Sequence, residues 1–91
     1  MKKPKLAIVV PCYNEEEVFS YCLSELQAVL TQLVSAALIS ADSYILFVDD
    51  GSRDATWQLI AQSSRDYSMV KGVKLSRNRG HQVALVAGLE A

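Results

Sequence analysis

Apolar and polar positions along this chain alternate between short, continuous hydrophobic runs and longer amphipathic stretches. Leu6 to Val10 (LAIVV) and Tyr44 to Val48 (YILFV) are β-branched and aromatic runs, the pattern of strands covered on both faces in a parallel sheet. Met69 to Leu75 (MVKGVKL) is interrupted by Lys71 and Lys74, which predicts a third strand at a sheet edge, where lysines oppose unwanted pairing. Between the first two runs, Val18, Cys22, Leu23, Leu26, Leu30 and Leu33 recur at three- and four-residue intervals, so a helix there can bury one stripe against the sheet. Its start is marked by Asn14 as N-cap, Glu17 at the reciprocal capping-box position, and the acidic run Glu15, Glu16, Glu17 at the positive end of the dipole. The stretch from Ser35 to Ser43 reads as frayed helix or loop. A second helix is expected from Asp54 or Ala55, with Trp57, Ile60 and Ala61 on its inner face. Gln82 to Ala91 (QVALVAGLEA) is helical in character, opened by the turn Asn78, Arg79, Gly80.

Strand, helix, strand, helix, strand, helix is the order of an α/β fold. With right-handed crossovers it gives a three-layer, Rossmann-like open parallel sheet with strand order 3-2-1, the first strand inside and the third at the edge. No further strand follows to cover the free side of the first. Residues 1–91 are therefore expected to be the amino-terminal part of a longer domain.

Composition narrows the classes of function. The chain has 91 residues, half of them apolar, and a formal charge of -1, so a nonspecific nucleic-acid partner is not favoured. Charge is instead local: the acidic run near the start, and Lys71, Lys74, Arg77, Arg79 and His81 near the end, a group that would suit a phosphate-bearing ligand. Cys12 and Cys22 match neither a CxxC pair nor a zinc knuckle, and reduced thiols are expected. The apolar run after the basic start is too short for a signal-peptide core, and Glu25, Gln27 and Gln32 break the longer one, so no membrane span is expected.

Parallel strands gather the segments that follow them on one rim, where ligands of open α/β sheets bind. Here those segments are Pro11-Cys12-Tyr13-Asn14-Glu15, Asp49-Asp50-Gly51-Ser52 and Ser76-Arg77-Asn78-Arg79-Gly80. A dinucleotide fold or a P-loop needs a glycine-rich turn after the first strand, and PCYNEEE has no glycine and three carboxylates. An acidic residue at the end of the second strand remains, suited to accept hydrogen bonds from a ribose. The rim can thus read a nucleoside while lacking a backbone cradle for its diphosphate, and a metal ion with ligands elsewhere would supply the counter-charge.

PCYNEEE after a first strand, FVDDGSRD after a second and LSRNRGHQVALVAGLEA after a third resemble the opening half of inverting GT-A glycosyltransferases of family 2. The nearest subgroup in appearance is the polyprenyl-phosphate hexose transferases, of the dolichol-phosphate mannose synthase and bactoprenol glucosyltransferase type. The resemblance implies a nucleotide-sugar donor, UDP-glucose or GDP-mannose being typical, a polyprenyl-phosphate acceptor, and action at the cytoplasmic face of a membrane. It implies that Pro11, Tyr13 and Glu15, with Asn14 beside them, line the base and ribose pocket, that Asp49 accepts from base or ribose, and that Arg77 lies near the nucleotide. Of the neighbouring carboxylates Asp49 and Asp50 only one can enter a pocket from a straight strand; the other is expected to tie down the loop through backbone amides, a task Ser52 and Asp54 can share, with Gly51 supplying the turn. The family's Asp-x-Asp metal motif does not occur in this sequence. Mg²⁺ or Mn²⁺ ligands and catalytic residues are accordingly expected outside it, and the 91 residues alone are expected not to turn over.

Two other classes stay open on the residues alone. One is a receiver-like signalling domain that binds Mg²⁺ through an acidic cluster, although its acidic pair would follow the first strand. The other is a noncatalytic fragment that self-associates through an open sheet edge, forming a homo-oligomer.

Overall fold

The computed structural model describes residues 3–78 and 81–87, with side chains described through residue 75. The elements are β1 (Ala7–Cys12), α1 (Phe19–Ser35), β2 (Tyr44–Asp49), α2 (Thr56–Asp66), β3 (Val70–Asn78) and β4 (His81–Ala87). They form one sheet of order β1-β2-β3-β4. The first three strands are parallel, with Cys12 opposite Asp49 and Asp49 opposite Lys74. This is the α/β open parallel sheet, in the strand order, that the sequence predicts.

Both helices lie on one face. Phe19 of α1 meets Phe47 with ring centroids 4.8 Å apart. Gly72, the register partner of Phe47, faces Ile60 and Trp57 of α2. Two right-handed crossovers that step in the same direction must put their helices on the same side. The core therefore sits between that face and the helices: Ile45, Phe47, Ile60 and Val70 are almost fully buried, as are Phe19 and Leu30 from α1. Gly72 is required here by close approach, since a Cβ would stand 2.4 Å from Cγ2 of Ile60.

Several expectations need correction. β1 and β2 alternate in burial instead of being covered on both faces, and a second helical layer is not found among the described residues. β3 does not lie at an edge, because β4 pairs with it antiparallel from Gly72–Ala87 to Asn78–His81. The described part of the segment expected to be a third helix, His81–Ala87, is thus a strand, paired along its length with β3. In α1 the buried stripe is Phe19, Leu23 and Leu30, while Val18 and Cys22 are exposed. Ser35–Ser43 resolves into a helix end followed by a loop, where Ala37 takes a positive φ of 61° and the Leu38 N–H returns to the Leu33 carbonyl at 3.0 Å.

Candidate functional site

The segments after β1 and β2 meet at the carboxyl rim and are joined by a chain of hydrogen bonds. The Asp49 side chain is 0 % exposed. One of its oxygens accepts from the Ser52 N–H at 3.2 Å, and the other accepts from the Ser52 hydroxyl. The same hydroxyl oxygen accepts from the Asn14 N–H at 2.8 Å, and Asn14 Oδ1 accepts from the Arg53 N–H at 2.8 Å. Further on, Glu15 N–H donates to Thr56 Oγ1 at 2.8 Å and Glu16 N–H to an Asp54 oxygen at 3.3 Å. Backbone donors of the first loop are thus satisfied by side chains of the second, which fixes one loop against the other.

This network explains why the expected capping box is not built. Asn14 is not the N-cap of α1, which begins at Phe19 after Val18 without a side-chain cap. It adopts φ 51°, a left-handed conformation that asparagine tolerates, so that its backbone and amide both reach the second loop. Gly51 has φ 81° with open space around it, so its requirement is conformational. Asp54 accepts the Thr56 N–H at 2.9 Å as well as the Thr56 hydroxyl. Burial pushes its carboxyl up, but the hydrogen bonds from Thr56 and the Glu16 N–H outweigh this and hold it below the ordinary value of 3.8.

Beside this frame lies a cleft of about 570 Å³ whose walls include Tyr13, Asp50, Ser52, Arg53 and Lys74. Tyr13 is 52 % exposed and Asp50 half-buried. The Asp50 N–H donates to the Cys12 carbonyl at 2.9 Å, extending the β1–β2 ladder by one bond beyond the strands. Of the residues singled out from the sequence, Tyr13, Asp50 and Ser52 line this cleft directly. Asn14 and Glu15 stand behind it in the joined loops, and Glu15 is exposed. Pro11 is exposed on β1 opposite Val48. Odd positions of this strand point their amides away from β2, so proline costs no ladder bond there. Asp49 is enclosed, with both oxygens engaged by Ser52. Arg77 is on β3 with its backbone paired to Gln82, and its side chain lies outside the described residues, as do Arg79 and Gly80.

Sequence reasoning did not select Arg53 or Thr56, and it read Lys74 as an edge guard and as one of a basic group suited to a phosphate-bearing ligand. The cross-loop use of Thr56 leaves no local pattern. Cys12 is buried, and burial, followed by the nearby carboxylates of Glu15 and Asp49 and by Cys22, pushes its thiol up to about 11. It is a neutral thiol at physiological pH. Among the described residues no three His, Cys, Asp or Glu side chains converge as a metal site, and no helix is long and apolar enough to cross a membrane.

The amino-acid sequence is similar to those of known proteins. The chain is 55 % identical over 87 residues to a Bacillus subtilis (strain 168) protein named uncharacterized glycosyltransferase YkoT, covering 96 % of this chain and 26 % of that protein. It is 38 % identical over 85 residues to uncharacterized glycosyltransferase YkcC of the same organism, covering 92 % of this chain and 24 % of the relative. To an undecaprenyl-phosphate 4-deoxy-4-formamido-L-arabinose transferase of Aeromonas hydrophila it is 35 % identical over 86 residues, covering 93 % of this chain and 24 % of that enzyme. The chain thus spans about a quarter of the length of these curated relatives. Residues 7–91 match the family model described as glycosyl transferase family 2, so the chain belongs to that family.

Proposed function

We propose that residues 1–91 form the amino-terminal, nucleoside-binding part of a catalytic domain that transfers a hexose from a UDP- or GDP-sugar to a polyprenyl phosphate with inversion. The observation that carries this reading is the division of labour between the neighbouring carboxylates: Asp49 is enclosed and engaged by Ser52, while Asp50 lines an open cleft with Tyr13. A ligand needs an accessible acceptor, so Asp50 reads the base or ribose and Asp49 positions the loop that presents it. Tyr13 offers a face for the base, and Pro11, Asn14, Glu15 and Ser52 shape the seat. Arg77 would meet the nucleotide from β3. Family membership supports this reading, as does the match to an undecaprenyl-phosphate sugar transferase, and the receiver-like alternative loses its ground.

In such a transfer the acceptor phosphate is already anionic, so little base assistance is needed. The nucleoside grip holds the donor so that its anomeric carbon faces the acceptor, which is a positioning contribution. The described residues do not assemble a divalent site, so no step is assigned to a metal here. Mg²⁺ or Mn²⁺, which would offset charge on the departing diphosphate, is assigned to ligands elsewhere in the parent protein, and the residues of this chain are not expected to turn over by themselves. A polyprenyl acceptor would place the work at the cytoplasmic face of a membrane.

Calorimetric titration of the intact protein with UDP and GDP tests the assignment. A hydrogen bond to a charged group contributes about 1.5–3 kcal/mol, so Asp50→Asn should weaken the preferred nucleotide by about tenfold or more, with a smaller loss of stability than Asp49→Ala. Asp49→Ala should weaken it as much, but together with the larger fall in stability. Unchanged affinity in Asp50→Asn would reject Asp50 as the reader.

A further inference from the structure

The Lys74 ammonium is a feature of the cleft that the nucleoside reading leaves unused. Lys74 stands opposite the enclosed Asp49 in the β2–β3 register and is half-buried. Its Nζ lies 6.0 Å from the centroid of the Trp57 ring, so the stem runs along α2 and the charge is presented at the rim. It lines the same cleft as Asp50 and Tyr13. Since β4 covers the outer side of β3, the strand has no free edge there for a lysine to guard.

Resting on the nucleoside reading above, we propose that Lys74 is a specificity-determining residue for the base. Asp50 offers only acceptors and Lys74 only donors. Lining one cleft, they match an edge on which a ring N–H adjoins a carbonyl oxygen: the carboxylate accepts the N–H and the ammonium donates to the oxygen. Uracil and guanine carry that edge. Cytosine and adenine, held in the same seat by the ribose and the Tyr13 face, turn a ring nitrogen lone pair toward the carboxylate and an amino group toward the ammonium. Both contacts are then repulsive, so discrimination comes from mismatch as much as from attraction. Trp57 keeps the ammonium where it can act by limiting the rotamers of a flexible side chain.

The test is calorimetric titration of the intact protein with two pairs of nucleotides that differ mainly in this edge, UDP against CDP and GDP against ADP. The unaltered protein should prefer UDP over CDP, or GDP over ADP, by about tenfold or more, a ratio of the size expected where polar groups would be left unpaired. Lys74→Met keeps the aliphatic stem on Trp57 and removes the donor; it should reduce that ratio to below about threefold, with circular dichroism unchanged. Lys74→Arg, which restores a cationic donor, should recover most of the preference. If Lys74→Met weakens all four nucleotides equally, or leaves the ratio intact, Lys74 does not read the base and this inference falls while the nucleoside reading stands. If the unaltered protein binds none of the four, the nucleoside reading fails and the role of Lys74 fails with it.

Discussion

At the amino end of the strands a cavity of about 790 Å³ opens beside the last turns of α1, with Leu30, Val34, Tyr44 and Met69 among its walls. At the carboxyl end the cleft is smaller, about 570 Å³, yet it is the one built from both βα loops. The amino end is held by Leu6 N–H to Ser43 Oγ at 2.9 Å, Tyr44 N–H to the Leu6 carbonyl at 3.0 Å, Ser40 N–H to the Pro4 carbonyl at 2.8 Å and an exposed Lys5–Asp42 ion pair at 3.7 Å, with Ala37 left-handed in the loop after α1. The carboxyl end has a buried carboxylate, two positive-φ residues and four backbone donors of one loop or the other satisfied by side chains across the gap. Volume alone would select the amino end. Left-handed backbone occurs at both ends, so what marks the carboxyl end is the cost of enclosing a carboxyl group, which persists only where surrounding structure compensates for it.

The largest effect that would break this comparison is expected at Asp49. Asp49→Ala removes both acceptors of Ser52, frees the hydroxyl that holds Asn14, and should lower stability by about 2–4 kcal/mol in urea unfolding. A loss below about 0.5 kcal/mol would mean that the carboxyl rim is no better built than the amino rim. Next in size is Gly72→Ala, whose Cβ must displace Ile60 or shift α2; a cost of about 1–3 kcal/mol is expected by the same measurement. Because α2 carries Thr56, the ligand of the Glu15 N–H, and Trp57, the support of Lys74, this substitution should also weaken nucleotide binding without touching the cleft.

The local signals in the sequence reached the strands β1 to β3, both helices and the rim. Tyr44 to Val48 announced β2 because a short run rich in β-branched and aromatic residues favours a strand, and the spacing of PCYNEEE and FVDDGSRD pointed to the family. What escaped was non-local. Asn14 obeys the rule for an N-cap, yet Ser52 and Arg53, 38 and 39 residues away, compete for its backbone and amide and win. The choice between Asp49 and Asp50 turned on which face of β2 the helices cover, and that depends on the direction of both crossovers. Lys71 and Lys74 look alike in MVKGVKL, but they point to opposite faces of β3: Lys71 toward Tyr44, with Nζ 5.5 Å from its ring, and Lys74 toward Trp57. QVALVAGLEA suits a helix by composition, and only pairing with β3 makes its first part a strand.

The smallest and sharpest contrast is between two aspartates whose carboxyls both sit below the ordinary value of 3.8. At the amino end the Ser40 hydroxyl, two residues away, is the main reason for Asp42, with Lys5 assisting against desolvation. At the carboxyl end, desolvation of Asp54 is outweighed by Thr56 and by the Glu16 N–H, which belongs to the other loop. A carboxyl with a depressed folded value contributes stability that is fully present above its unfolded value, near pH 4, and is lost as pH falls through the lower folded value. Thermal unfolding of Asp54→Asn and Asp42→Asn from pH 7 down to about pH 2 should therefore show both lowered at neutral pH and both converging on the unaltered protein in acid. Asp54→Asn should be lowered more, because its charge ties two loops while that of Asp42 serves mainly its own turn and an ion pair that water screens. Only Asp54→Asn should also weaken nucleotide binding at pH 7, through the segment that carries Tyr13. Equal shifts in both variants, with binding untouched, would show that the cross-loop hydrogen bonds do not set the geometry of the cleft.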